Sequence, residues 1–260
     1  MHAEIVFLGS GTSMGVPTLG CGCAVCTSSD PRDRRMRPSI VVLFREGDNE
    51  RTLLIDTGPD FRQQALRENL RNVDAVLYTH SHADHIMGLD DLRPLSFKSP
   101  EKIPLYADSA TTRVLRQVFE YTFSESNKYP YKARVELRRL ENQTRIFGAE
   151  FVTVPLLHGA LETVGFRFGN AAYLTDMSDI PEASFSLLQD LDVLIIDALR
   201  RTPHPSHSNV ESSLKFIERI RPKQAYFTHI AHDLGHVETE NELPAHVHMA
   251  YDGLRIPFEL

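Results

Sequence analysis

A layered α/β fold is what this sequence predicts, and three observations carry the expectation. Short β-branched runs end in polar or glycine-containing turns, helical stretches are interleaved with them in both halves, and no linker, repeat or low-complexity segment divides the chain. In order, the expected strands are Glu4–Leu8 (EIVFL), Ser39–Phe44 (SIVVLF), Thr52–Asp56 (TLLID) and Ala75–Tyr78 (AVLY). Glu150–Pro155, Thr163–Phe168, Ala172–Leu174, Val193–Asp197 and Gln224–Thr228 follow in the second half. Helices are expected at Asp60–Leu70 after a Gly-Pro start, at Ser109–Phe119 with a Ser cap, at Ser184–Leu191 and at Asn209–Ile220. The stretch IMGLDDL, from Ile86, has the pattern of a helix start. Tyr121–Tyr131 (YTFSESNKYPY) fits neither pattern and reads as an irregular loop. Residues 1–260 are read as one domain.

Composition narrows the function classes. Hydrophobic residues make up 42% of the chain, enough for a substantial core. The net charge of −7, from 28 basic and 35 acidic residues, argues against a nucleic-acid partner, which needs a basic surface. The N-terminal MHAEIVFLGSGTS lacks a basic n-region, and no window approaches the roughly 18 apolar residues of a membrane span. Neither a signal peptide nor a membrane anchor is expected. Three cysteines, all between 21 and 26, fit a reduced, cytoplasmic protein.

The densest chemistry is THSHADH, residues 79–85, directly after the strand DAVLY. Its imidazoles emerge in a loop at the strand's exit. His80 and His82, two residues apart, converge on one ion if the backbone turns between them, while Asp84 and His85 are placed for a second. Imidazole nitrogen and carboxylate oxygen suit zinc, and also manganese or iron. Further donors stand after other strand-like runs: His158 after FVTVPLL, Asp176 after AAYLT and His229 after QAYFT. Strand exits are where open α/β architectures gather reactive groups.

THSHADH, then LLHG, LTD and FTH in that order, resembles the metallo-β-lactamase superfamily of hydrolases, and the likeness runs through essentially the whole chain. The resemblance implies an αβ/βα four-layer sandwich, two mixed β-sheets flanked by helices. It further implies a first cation on His80, His82 and His158, a second on Asp84, His85 and His229, and Asp176 bridging both. The family also carries an acid at the position of Asp56. Asp56 and Asp197, each ending a strand, are expected to accept the second N–H of a ligand imidazole.

GCGCAVC places Cys21, Cys23 and Cys26 as C-x-C-x-x-C. Three thiolates need a fourth donor for tetrahedral zinc. His232 in THIAHD is the first candidate and His236 the next. GTSMGVPTLGCGCAVC together with THIAH resembles the phosphodiesterases typified by phosphoribosyl 1,2-cyclic phosphate phosphodiesterase. That likeness implies a structural zinc on the three cysteines and a histidine, stapling the N-terminal loop to the loop of His229. The cysteine pattern also occurs in a cofactor-biosynthesis branch, so it marks the subgroup better than the substrate.

The expected reaction is hydrolysis of a small phosphodiester, cyclic in the best-matching relatives, with two divalent cations, zinc or manganese, at the catalytic site. Such pairs make a nucleophile of water at neutral pH and offset charge in an in-line displacement. His207, in HPSHSN ahead of a helix that Ser208 or Asn209 caps, is the expected general acid, with Asp84 beside it among the catalytic residues. Arg200, Arg201 and His204 are candidates for contacting a second phosphate or a ribose. The turn SGTSMG lacks a Walker lysine and is read as lying near the site. An acyl hydrolase or a tRNA 3′-processing type of nuclease would use the same cations. Specificity is expected from loops such as Phe97–Ile103 and Tyr121–Tyr131. The resemblance also implies a homodimer.

Overall fold

Alternation along the strands sorts apolar residues into separate buried layers. In β1 (His2–Gly9), Ile5 and Phe7 face one way and Val6 and Leu8 the other, and all four are fully buried. A strand buried on both faces needs cover on both. A computed structural model, which describes residues 1–260, supplies it with a second sheet on one side and helices on the other.

The first sheet contains β1, β2 (Ser39–Glu46), β3 (Asn49–Ile55), β4 (Ala75–Leu77), β5 (Ile103–Ala107) and β6 (Val135–Arg139). The second holds β7 (Gln143–Ile146), β8 (Ala149–His158), β9 (Leu161–Phe168), β10 (Ala171–Leu174), β11 (Val193–Asp197), β12 (Gln224–Thr228) and β13 (Val247–Met249). The last strand, β14 (Arg255–Glu259), returns to the first sheet beside β1. The orders are β14-β1-β2-β3-β4-β5-β6 and β13-β12-β11-β10-β9-β8-β7. Each sheet is antiparallel at one end and parallel at the other: β3 to β6 run parallel, as do β10 to β13. Both sheets are therefore mixed, as the family resemblance implied.

Helices α1 (Phe61–Arg67), α2 (Ala83–Ile86), α3 (Arg93–Ser96), α4 (Ser109–Val118) and α5 (Glu120–Phe123) belong to the first half, and α6 (Val210–Ile220) and α7 (His236–Glu240) to the second. Between the sheets, Phe7, Ile40 and Leu77 meet Phe151, Phe166 and Ile195. Outside the first sheet, Val6, Val76 and Leu105 pack on Phe61 of α1 and Leu115 of α4. Outside the second, Leu194 and Phe227 pack on Ile217 and Ile220 of α6. Burying such a side chain contributes roughly 1.5–3 kcal/mol, so these layers fix the sheets that carry the site.

The sequence expectations hold with local corrections. Asp108, not Ser109, caps α4, its carboxylate accepting from Thr111 N–H. Ser184–Leu191 is a 3₁₀ segment at Glu182–Leu188 rather than an α-helix, because it is clamped between β10 and β11 by Pro181 and by Ser184 bonding to the Pro155 carbonyl. IMGLDDL continues from the one-turn α2 into a 3₁₀ turn, Leu89–Leu92, because Gly88 interrupts the run. Asn209, not Ser208, caps α6. Tyr121–Tyr131 begins inside α5 and is irregular beyond it.

Candidate active site

The site residues emerge from strand ends of both sheets, and three of them leave their strands in the left-handed region. Asp56 (φ 65°), Asp176 (φ 48°) and His229 (φ 57°) are among only seven non-glycine residues with positive φ. Asp and His tolerate that conformation better than bulkier residues, and its cost is retained where the surrounding structure imposes it. The kink turns each side chain back over the sheet ends. Asp84 and His85 come from α2, which lies against the Asp56–Gly58 turn. Thr57 N–H donates to the His85 carbonyl (2.7 Å) and Gly88 N–H to the Thr57 carbonyl (2.8 Å). The approach is so close that a Cβ on Gly58 would lie 2.2 Å from the Asp84 carbonyl oxygen.

This folding brings all seven expected donors together in two groups that share one carboxylate. His80, His82, His158 and Asp176 form one group, Asp84, His85, Asp176 and His229 the other, and within each the ligand atoms lie within 4.8 Å of one another. Asp176 Oδ1 is 3.3 Å from His229 Nε2 and 3.9 Å from His80 Nε2, while its Oδ2 is 3.0 Å from His85 Nε2. Asp84 Oδ2 lies 3.3 Å from His85 Nε2 and 3.7 Å from His229 Nε2.

The donor set fits divalent cations on a second, independent ground. His80 Nε2, His85 Nε2, His229 Nε2 and Asp84 Oδ2 are buried yet have no hydrogen-bond partner. Stranding four polar atoms in one spot is costly unless a ligand satisfies them. Electrostatics point the same way. Burial opposes ionisation of Asp176 and Asp84, but the neighbouring imidazoles hold both carboxyls well below the usual range. Burial likewise opposes charge on His85 and His229, yet Asp176 and Asp84 raise both, His229 to about 9. Burial keeps His80 and His158 below the ordinary histidine value and so neutral. The cluster thus draws positive charge to its centre, from protons or from cations.

A second layer aims the rings. His85 Nδ1 donates to Asp56 Oδ2 (2.7 Å), which leaves Nε2 facing the cluster, as expected for Asp56. Thr79, which sequence reasoning passed over inside THSHADH, donates to the same carboxylate through its backbone N–H (2.9 Å) and hydroxyl (2.8 Å). It also stands 3.0 Å from His80 Nδ1. His158 Nδ1 donates to the Ser206 carbonyl (2.6 Å), a partner with no sequence signal because it is backbone. Asp197 departs from expectation: its Oδ2 accepts from His207 Nδ1 at 2.8 Å, so it orients the expected general acid rather than a metal ligand. The His207 ring stacks on His229 (centroids 4.5 Å apart, 15° between planes) and lies 4.6 Å from His158.

Beyond His207 is a small cavity of about 190 Å³ lined by Arg200, His204, Thr12, Ser13 and Asp233 among others. The SGTSMG turn does lie near the site, stitched to it by Ile230 N–H donating to the Ser10 carbonyl. Arg201 is not brought in; its guanidinium pairs with Glu242 at 2.7 Å.

The cysteine cluster closes as a four-donor group with His232. His232 Nδ1 is 3.2 Å from Cys21 Sγ and 3.3 Å from Cys23 Sγ. The Cys26 N–H, then His232, lower the Cys23 thiol to about 6, while burial pushes Cys26 to about 11. Three thiols and an imidazole suit tetrahedral zinc. His236, the other candidate, is elsewhere: its ring lies against Tyr251 and its backbone N–H donates to Asp33. Arg35, buried and missed by sequence reasoning, ties this region down by donating to the Ala231 and Leu234 carbonyls and pairing with Asp33.

Against known families, the Beta-lactamase superfamily domain matches residues 51–230. The chain belongs to the β-lactamase superfamily. As a hydrolase of that superfamily, it is 53% identical to the crystal structure of a diphosphatase from the PhnP family, with a TM-score of 0.93 over 100% of this chain and 98% of that one. Zn²⁺-bound PqqB from Methylobacterium extorquens shares the fold at 22% identity, with a TM-score of 0.74 over 98% and 99% of the two chains. The "Octanoyltransferase" of Porphyromonas gingivalis is 38% identical over 253 residues, 96% of this chain. This chain spans only 50% of that protein's length, so that name describes a longer molecule. No helix is long and apolar enough to cross a membrane.

Proposed function

We propose that this β-lactamase-superfamily chain is a metal-dependent phosphodiesterase acting on a small, cyclic or linear, phosphodiester. The observation that carries the reading is the placement of His207. Asp197 accepts a hydrogen bond from its Nδ1–H, so Nε2 is the atom left to serve a substrate beside the donor cluster. Hydrolysis of an unactivated phosphodiester must protonate an alkoxide as it leaves, and an oriented imidazolium, with its second proton on Nε2, can supply that proton.

His80, His82, His158 and Asp176 would hold one cation, and Asp84, His85, Asp176 and His229 the other. Bound there, divalent cations supply a strong nucleophile from water at neutral pH and offset charge on the phosphoryl oxygens. The protein's own part is positional. Asp56 and the Ser206 carbonyl fix two imidazole tautomers, and Asp197 orients His207 beside the donor cluster, where it would serve the leaving group. Overall, water's oxygen joins phosphorus, the P–O bond to the leaving group breaks, doubly protonated His207 would pass its Nε2 proton to the departing oxygen, and the proton that water loses restores the ring.

An acyl hydrolase on the same donors would leave the Asp197–His207 pair with less to do. The 53%-identical relative, a diphosphatase, also breaks bonds to phosphorus, which supports the phosphorus reading. The net charge of −7 favours a small substrate over nucleic acid. Three free thiols within one donor cluster favour a reduced, cytoplasmic setting. The test is turnover of bis(p-nitrophenyl) phosphate and of a γ-lactone by protein loaded with zinc or manganese. Phosphodiester turnover supports the proposal; lactone turnover alone overturns it.

A further inference from the structure

The first sheet ends on β6, which pairs with β5 and with no other strand. Their ladder is parallel, so alternate residues of β6 carry its bonds. Ile103 N–H donates to the Arg134 carbonyl (2.9 Å) and Leu140 N–H to the Ala107 carbonyl (3.0 Å), which turns the even-numbered residues toward β5. The N–H and C=O groups of Val135, Leu137 and Arg139 therefore face outward, and such an open edge is a template for a further strand. A groove of about 670 Å³ follows this edge, lined from both faces of the strand by the consecutive residues Ala133–Leu137. Its charge is one-sided. Lys102, Arg116, Lys128, Lys132 and Arg134 line it without a carboxylate partner: Lys132 Nζ donates to the Ser124 (3.0 Å) and Asn127 (3.2 Å) carbonyls, and the Arg134 guanidinium to those of Ser99 (3.0 Å) and Pro100. Of the two acids on the wall, Glu136 is held by Arg138, which leaves Glu125 alone. Residues 98–145 hold ten basic against six acidic residues, in a chain whose net charge is −7. Thr122, 6% exposed, lines the same groove with a hydroxyl that has no hydrogen-bond partner.

We infer that this groove docks an extended acidic peptide segment of a partner protein, which adds a strand to β6. Two features of the surface select that occupant. The outward N–H and C=O groups pair with a peptide backbone, which offers acceptors and donors in the strand's own repeat; a nucleic-acid backbone offers phosphates and no N–H. The unpaired cations then favour carboxylate side chains and reject basic ones. The groove shares no residue with either catalytic donor group or with the cavity beside His207, so this surface is independent of the proposed hydrolysis.

The test is binding of a labelled, capped peptide of alternating glutamate and valine to the full-length protein, read by fluorescence anisotropy. The peptide should bind, and more weakly as salt rises. A peptide with lysine for glutamate, and one with proline for valine, which lacks the N–H groups a strand needs, should each bind at least 10-fold more weakly. The double variant Arg116→Glu with Lys128→Glu should weaken the acidic peptide at least 10-fold. Lys215→Glu with Lys223→Glu changes net charge equally at two exposed positions outside the groove and should leave affinity unchanged. In hydrogen exchange on the unsubstituted chain, bound peptide should slow the Val135, Leu137 and Arg139 amides at least 10-fold. No binding at millimolar peptide, equal binding of the proline peptide, full affinity in the groove variant, or unslowed edge amides would overturn the inference. Tighter binding of an oligothymidylate of similar charge would overturn it in favour of nucleic acid. A dimer in sedimentation that the peptide dissociates would overturn it in favour of a second copy of this chain.

Discussion

Removing the Asp56 carboxylate perturbs the site without touching a donor. In Asp56→Ala the Thr79 N–H, the Thr79 hydroxyl and His85 Nδ1–H lose an acceptor that now lies 2.7–2.9 Å away in a fully buried pocket. The hydroxyl can re-aim at His80 Nδ1, 3.0 Å away, so two donors are left stranded. Each stranded donor costs about 1–3 kcal/mol. Burial holds the Asp56 carboxyl above its usual range, so losing it gives some stability back. The expected net loss is about 2–4 kcal/mol in urea unfolding of the chelated chain. Because His85 is no longer held with Nε2 facing the cluster, zinc affinity should fall by about 10–100-fold, read by competition with a chelator. Unfolding and affinity both unchanged within error would refute the argument that Asp56 aims His85.

Four further outcomes are expected. Gly58→Ala, whose Cβ would meet the Asp84 carbonyl oxygen at 2.2 Å, should push α2 away and cost about 1–3 kcal/mol in thermal or urea unfolding, with activity falling further than stability. His207→Ala should reduce kcat by roughly 10²–10⁴-fold on alkyl diesters and far less on p-nitrophenyl esters, whose leaving group needs no proton; equal losses on both would argue against proton donation. Cys23→Ser should lower bound zinc by one per chain in elemental analysis and lower the melting temperature, because the cluster joins the N-terminal loop to the His229 loop. In the metal-free chain, His229 is raised from 6.5 to about 9. Its contribution to stability is therefore present below about pH 6.5 and lost as pH rises through 9, worth about 3 kcal/mol by linkage; a flat urea-unfolding profile between pH 6 and 9.5 would contradict it.

What could be read from the sequence was what local pattern determines. The nine expected strands all exist, because alternating or continuous apolar runs allow few alternatives. The five that went unread, β5, β6, β7, β13 and β14, are short, charged or interrupted by proline, as in Ile103–Ala107 and Arg255–Glu259. Their pairing is imposed by neighbours rather than by pattern. The seven donors were legible because each stands at a strand exit or in one dense motif, and the ordered resemblance joined them. Asp197 was assigned to a ligand ring because sequence cannot say which of several imidazoles will meet a strand-end carboxylate. The Ser206 carbonyl and Arg35 gave no signal at all, since a backbone acceptor has no residue type and a buried arginine reads as a surface one. Arg201 and Arg200 are adjacent yet point apart, a difference only the turn after β11 decides.

The central claim is that side chains from both sheets hold a pair of cations next to an oriented His207. Anomalous diffraction from zinc-loaded crystals measures this most directly. The account predicts three peaks per chain: one among Cys21, Cys23, Cys26 and His232, and two sharing Asp176 between the histidine groups. A map with no density, or a single peak, among His80, His85, His158 and His229 would contradict it.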